Sequence, residues 1–114
     1  MAEIRIDATD VVVRLTRLEK VAALRGDVRV PRDAVRAVEQ VAAGDALAAV
    51  RGFRAPGLHV PGLTKIGTWR RAGGRVFAVV AGRRTAVRIV LAGARYREIV
   101  VSTPDAAAVA AALR

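Results

Sequence analysis

From Thr64 to Ser102 the chain repeats one arrangement, in which runs of seven or eight residues are separated by short glycine-bearing breaks, the last three runs being rich in Val, Ile and Ala. The runs are Thr64–Arg71, Arg75–Ala81, Arg84–Leu91 and Tyr96–Ser102, and the breaks are Ala72-Gly73-Gly74, Gly82-Arg83 and Ala92-Gly93-Ala94. Runs of this length are too short for typical helices, and β-branched residues suit a pleated, half-buried surface. Glycine supplies the positive φ that tight turns require. The pattern predicts a four-strand antiparallel meander, and the rest of the chain must pack around it.

The earlier residues add strands and short helices. Glu3–Asp7 and Val11–Leu15 are β-rich runs around Asp7-Ala8-Thr9-Asp10, a turn-forming tetrad, and so predict a hairpin with Ile4 and Ile6 on its buried side. Thr16-Arg17-Leu18-Glu19 has the form of a capping box. It predicts a short helix burying Leu18, Val21 and Ala22 and ending at Gly26, with continuation as a strand as the alternative. Asp27–Val30 alternates up to Pro31, while Ala34–Val41 fits a helix edge or a strand, the β-branched content favouring the strand. Gly44-Asp45 predicts a cap for a short helix over Ala46–Arg51, with Leu47 and Val50 inward. Thr103-Pro104-Asp105 predicts another helix, Pro104–Leu113, with a hydroxyl N-cap, Pro at the first helical position and a carboxylate at the positive end of the dipole. Val109 and Leu113 lie one turn apart on its docking face.

Charge is distributed unevenly. Residues 1–45 carry eight acids and eight bases, whereas residues 46–97 carry eleven bases and no acid, so this run accounts for the net +10. One reading scatters these bases over solvated faces of the strands. The other gathers them into a patch for an anionic partner. Within the run, Gly52–Arg75 holds six of the ten glycines, two of the four prolines, the only His and the only Trp. Its first part reads as an elaborated loop with two Pro-Gly turns, Pro56-Gly57 and Pro61-Gly62, leading into the strand from Thr64. The turn amides with Arg51, Arg54 and Lys65 could cradle an anion, or the turns could simply shape the loop.

At 114 residues without cysteine, the chain is read as one domain, 1–114, with enough core to fold without disulfides and without thiolate chemistry. The N-terminal residues lack the apolar core of a signal peptide, and no apolar run approaches the length of a membrane span. The location expected is cytoplasmic, with peripheral contact at a membrane surface as a variant.

Val30–Val38 (VPRDAVRAV), Arg51–Gly62 (RGFRAPGLHVPG), Gly67–Gly74 (GTWRRAGG) and the ARYREIVVST ending before the last helix resemble bacterial pleckstrin-homology-like domains of actinobacterial type. The resemblance covers nearly the whole chain. It implies a mainly β (α+β) fold, a PH-like antiparallel barrel or sandwich of about seven strands closed by a C-terminal helix, and a non-catalytic binding role. The first turn is acidic at both ends and the closing helix lacks a Trp, so a phosphoinositide site in that family's usual place is not expected.

The residues expected to meet an anionic partner are Arg51, Arg54, Lys65, Trp69, Arg70, Arg71 and Arg75. Trp69 beside two arginines could stack on a base or sit at a lipid interface, or fill the core as a sole Trp often does. His59 has no acidic neighbour within a dozen residues, and Ser102 sits where a strand ends. Neither forms part of a recognisable catalytic or metal-binding pattern, so no enzyme activity, metal or cofactor is expected, and a small enzyme using His59 is the remote alternative. The partner expected is an acidic protein surface or anionic lipid headgroups. Phosphate-mediated nucleic-acid binding is the second reading, and a sheet edge recruiting a partner strand is a further possibility. The oligomeric state is not fixed by the sequence.

Overall fold

The computed structural model describes residues 2–23, 26–50 and 53–114, with backbone only for 53–56. The fold is mainly β, with two sheets and a C-terminal helix. The first sheet is the N-terminal hairpin β1 (Glu3–Ile6) and β2 (Asp10–Arg14), joined by β3 (Val28–Pro31) in the order β1-β2-β3. The hairpin turn closes on Asp7, whose Oδ1 accepts the N–H groups of Thr9 at 2.9 Å and Asp10 at 2.7 Å. These two backbone bonds hold its carboxyl below the usual aspartate range.

The second sheet comprises β4 (Val35–Val41), β5 (Phe53–Val60), β6 (Thr64–Arg71), β7 (Gly74–Ala81), β8 (Ala86–Leu91) and β9 (Glu98–Ser102). Its order is β4-β8-β9-β7-β6-β5. The four strands from Thr64 onward therefore do not form the expected meander. β6 and β7 pair as a hairpin, but β9 lies between β7 and β8, parallel to the former and antiparallel to the latter. Apolar alternation fixes which face a residue takes, not which strand lies beside it. The two sheets also do not close into a barrel. They stack around one core, in which Val11, Val13, Val28 and Val30 meet Phe77, Ile89 and Ile99, each no more than 2% exposed. Burying each of the larger members contributes about 1.5–3 kcal/mol.

Three further expectations need correction. The stretch before Pro61 is strand β5 rather than a loop. Its pairing with β6 slips between Arg54 and Gly57, so that Pro56 sits in a bulge where its missing N–H costs no ladder bond. A Cβ at Gly57 would stand 2.5 Å from the Ile66 carbonyl oxygen, so this approach of β5 to β6 requires glycine. Only Pro61-Gly62 forms a free turn, with Gly62 at φ 76° and Leu63 N–H donating to Val60 O at 3.0 Å. The expected helix from Ala46 is a succession of turns over residues 43–49. Its backbone bonds (Asp45 to Ala42, Ala49 to Asp45, Val50 to Leu47) mix three- and four-residue spacings instead of forming a helical ladder. Ala46 and Val50 nevertheless point inward, covering the second face of the large sheet with Leu47 beside them.

Helix α1 (Arg17–Ala23) carries the capping box as expected. Glu19 N–H donates to Thr16 Oγ1 at 3.2 Å, and Thr16 N–H donates to Glu19 Oε1 at 2.9 Å. Of the residues at helical spacing, Leu18 and Val21 point outward and Ala22 is half-buried, while Leu24 lies outside the described residues. Glu19 is buried, its Oε2 accepting the Ala2 N–H at 3.1 Å, while Leu18 is 78% and Val21 70% exposed. Anchoring that carboxylate turns the aliphatic side of this short helix outward. The last helix, α2, runs over Ala106–Leu113, beginning two residues later than expected because Thr103 Oγ1 accepts the Asp105 N–H at 3.2 Å in a turn ahead of it. It packs on β4 and β8 through Val109 and Ala110, with Leu113 half-buried beside them.

Candidate functional site

Of the seven residues expected to contact a partner, most do something else. Arg51 lies outside the described residues, as does the side chain of Arg54, whose backbone pairs with Trp69. Lys65 turns inward, and its ammonium donates to the carbonyls of Val50 at 2.7 Å and Leu47 at 3.0 Å. It staples the 43–49 turns to the sheet, and burial holds its pKa below that of an ordinary lysine. Trp69 is 3% exposed and packs with Val76 on the covered second face, so it is a core residue and not a stacking platform. Arg71 is bound to Glu98. Only Arg70 and Arg75 remain, both exposed.

The fold adds to these two. Arg70 and Arg75 are direct cross-strand partners on β6 and β7. The parallel register beyond them, Val76 opposite Glu98, brings Arg97 beside Arg75, and the Arg97 N–H donates to the Arg75 carbonyl at 2.8 Å. Arg70 and Arg75 therefore share one face of the hairpin, at the usual strand spacing of about 4.8 Å, with Arg97 next to Arg75 in the segment just before β9. Arg97 lies over the β6–β7 turn and donates to Ala72 O at 3.0 Å. Gly73, at φ 93°, makes this possible, because a Cβ there would come within 2.1 Å of Arg97 Nη1. Beside these arginines is a hollow of about 210 Å³ between the Gly73-Gly74 and Gly93 turns, lined by Arg75, Arg95 and Arg97. None of Arg70, Arg75, Arg95 and Arg97 has an ion-pair partner among the described residues. Like charges directly opposite on a sheet cost roughly 0.2–1 kcal/mol, a cost that an arriving anion would relieve.

The other face of the same strands carries charge of a different kind. Glu98 is 1% exposed and accepts from Arg71 Nη1 at 3.2 Å and from Arg88 Nε, while Arg88 Nη1 reaches Glu39 on β4 at 2.8 Å. The hydrogen bond to Glu98, reinforced by Glu39, raises the Arg88 pKa further above its already high value. Arg71, Arg88, Glu39 and Ala49 line a hollow of about 260 Å³. Two cations and two anions cancel there, so this hollow has no net attraction for an ion of either sign. Its chemistry is that of a network anchored on one buried carboxylate, Glu98, and reaching out to the exposed Glu39, whose charges satisfy one another.

His59 is exposed on β5, opposite Lys65. Among the described residues no three His, Asp or Glu side chains come together as metal ligands would. Ser102 serves structure, its Oγ accepting the Ala81 N–H at 2.9 Å. Sequence reading missed Arg95, Arg97 and Glu98. A signal was present in Arg97-Glu98, adjacent opposite charges at the head of an apolar strand, which must point to opposite faces.

No family model, curated protein or solved structure matches this chain.

Proposed function

We propose that this chain is a non-catalytic binding module whose arginine cluster receives the anionic groups of a partner, either carboxylates of an acidic protein surface or phosphates of lipid headgroups. The observation that carries the proposal is the cross-strand pairing of Arg70 with Arg75 and the placement of Arg97 beside Arg75, none of them with a counterion among the described residues. Guanidinium groups bind carboxylate and phosphate in a planar, two-pronged manner, and neighbours one strand apart can engage successive anionic groups. Arg70, Arg75, Arg95 and Arg97 are all exposed, which suits contact with a surface or headgroup. The pleckstrin-homology-like kinship suggested by the sequence motifs belongs to this reading through its binding role. The open sheet and the parallel β7–β9 pair depart from the antiparallel barrel that it implies.

Nucleic-acid phosphates are the second reading. They could meet the same guanidinium groups, but base stacking has little support, since Trp69, Phe77 and Tyr96 are all buried.

Co-sedimentation at physiological salt with anionic and neutral vesicles, with double-stranded DNA as competitor, separates the sources. Binding to anionic vesicles that survives DNA favours headgroups, and binding that DNA removes points to a general polyanion surface. Without vesicle binding, retention on an acidic protein column that is lost in R70E/R75E favours the protein partner. Equal behaviour of wild type and R70E/R75E in every format would overturn the site.

A further inference from the structure

At the far end of β6, seven residues before Arg70, is a surface of opposite character. Among the described residues the large apolar side chains left exposed are Leu18 (78%), Val21 (70%), Leu63 (65%) and Leu58 (40%). All four belong to one neighbourhood. Leu58 is on β5, Leu63 is in the β5–β6 turn, and α1, which carries the other two, packs against both strands of that hairpin. Glu19 of α1 and Thr64, the residue after Leu63, line one hollow. Scattered exposed aliphatics are ordinary, but a group confined to one corner marks a surface that something covers.

β5 is also the end of the six-stranded sheet, and among the described residues no strand pairs with its outer side. Alternate N–H and C=O groups along an antiparallel edge strand point away from its partner and remain available to another chain. Pro56 and its bulge spoil the first half of this edge. The intact part is Gly57–Val60, the part that carries Leu58 and leads to Leu63. An edge of unpaired peptide groups argues against burial in a bilayer, where each unsatisfied group costs several kcal/mol. The net charge of +10 argues against a second copy of this chain.

Local charge favours an acidic visitor. Arg17 on α1 and His59, on the opposite face of β5 from Leu58, are exposed, while the nearby carboxylates are engaged internally, Glu19 with two backbone amides and Asp27 with the Leu15 N–H and Lys20. We propose that the outer edge of β5 at Gly57–Val60 takes an extended segment of a protein partner, one that alternates aliphatic with acidic side chains. The added strand bonds to the free peptide groups of β5, sets its aliphatic side chains against Leu58 and the neighbouring apolar corner, and turns its carboxylates to the opposite face, which carries His59. This surface is separate from the arginines at the other end of β6, since Leu58 lies opposite Ile66, four residues or about 13 Å along an extended strand from Arg70.

The test uses the full chain and a fluorescent, end-blocked peptide of alternating Val and Glu. The expected result is saturable binding with slowed amide exchange at residues 57–60, and at least a tenfold loss of affinity in Leu58→Glu. Leu18→Ser, at a site too exposed to disturb folding, is expected to lose about threefold. R70E/R75E should bind this peptide within twofold of wild type, because those arginines lie beyond the screening length of about 8 Å, so failure of one site is distinguishable from failure of the other. Equal binding of a peptide with Pro at alternate positions, which cannot form the ladder, would overturn the proposal. So would a wild-type affinity in both Leu58→Glu and Leu18→Ser. Sedimentation showing a dimer that Leu58→Glu dissolves, or vesicle binding that depends on Leu58, would assign the corner to another occupant and overturn it as well.

Discussion

Arg70 and Arg71 are neighbours in sequence, yet they live on opposite faces of β6 under opposite electrostatic rules. Arg70 belongs to a cluster of like charges at the rim, paired across the strands with Arg75, beside which Arg97 lies. Arg71 belongs to a chain of alternating charges, anchored on a carboxylate that is 1% exposed. The first face tolerates repulsion because solvent screens it. The second tolerates burial because each charge has a partner. The proposed binding surface thus uses cationic residues that the fold leaves uncompensated, whereas the same residue type one position away is engaged in an ion-pair network.

The most severe way to test this contrast is to remove Glu98. Glu98→Ala leaves Arg71 and Arg88 facing each other without their shared carboxylate, and the expected loss is about 3–5 kcal/mol in urea unfolding. Trp69→Ala belongs to the same covered face and should also cost about 3–5 kcal/mol. In the intact protein, Trp69 emission is expected to be that of a buried indole and to stay unchanged when anionic vesicles are added; a shift would place it at the interface after all.

Charge reversal at the two neighbours sharpens the comparison. Arg71→Glu should destabilise by several kcal/mol by setting a second anion against Glu98. Arg70→Glu should stabilise by roughly 0.2–1 kcal/mol, since it creates an opposite-charge pair with Arg75, while weakening anion binding. Thermal melts and vesicle or acidic-column binding on the same two proteins read both outcomes. Equal destabilisation by the two would end the distinction drawn here.

The smallest expected effect lies outside both faces, in the Asp7 turn. Its folded-state pKa is depressed, so the stability it contributes is complete above the ordinary aspartate pKa of about 3.9. It is lost as pH falls through the lower folded value. Asp7→Ala should lower the melting temperature slightly at neutral pH, and the difference from wild type should vanish in strong acid.

What the sequence made legible was local. The capping box of Thr16 and Glu19, the Asp7 turn, the Pro61-Gly62 turn and the bounds of β6 each depend on residues a few positions apart. Glu98 was not legible, because its partners Arg88 and Arg71 lie 10 and 27 residues away and meet it only through the β8-β9-β7-β6 order. β5 was read as a loop because Pro56 and Gly57 interrupt its alternation, and a bulge resolves that interruption only once β6 is beside it. The outward turn of Leu18 and Val21 follows from a bond between Glu19 and Ala2, 17 residues apart. The excess of positive charge was plain, but its division between a free cluster and a bound network was decided by register.

The placement of β9 has a consequence for how the chain is made. The large sheet receives its central strand last in order of synthesis, after both of that strand's neighbours. Until Glu98–Ser102 emerges, the β5–β6–β7 group and the β4–β8 pair are halves with open inner borders, each a template for a wrong partner. Ribosome-bound intermediates ending before Ile99 should therefore be the most aggregation-prone forms of this protein, and completion of one five-residue strand closes both borders at once.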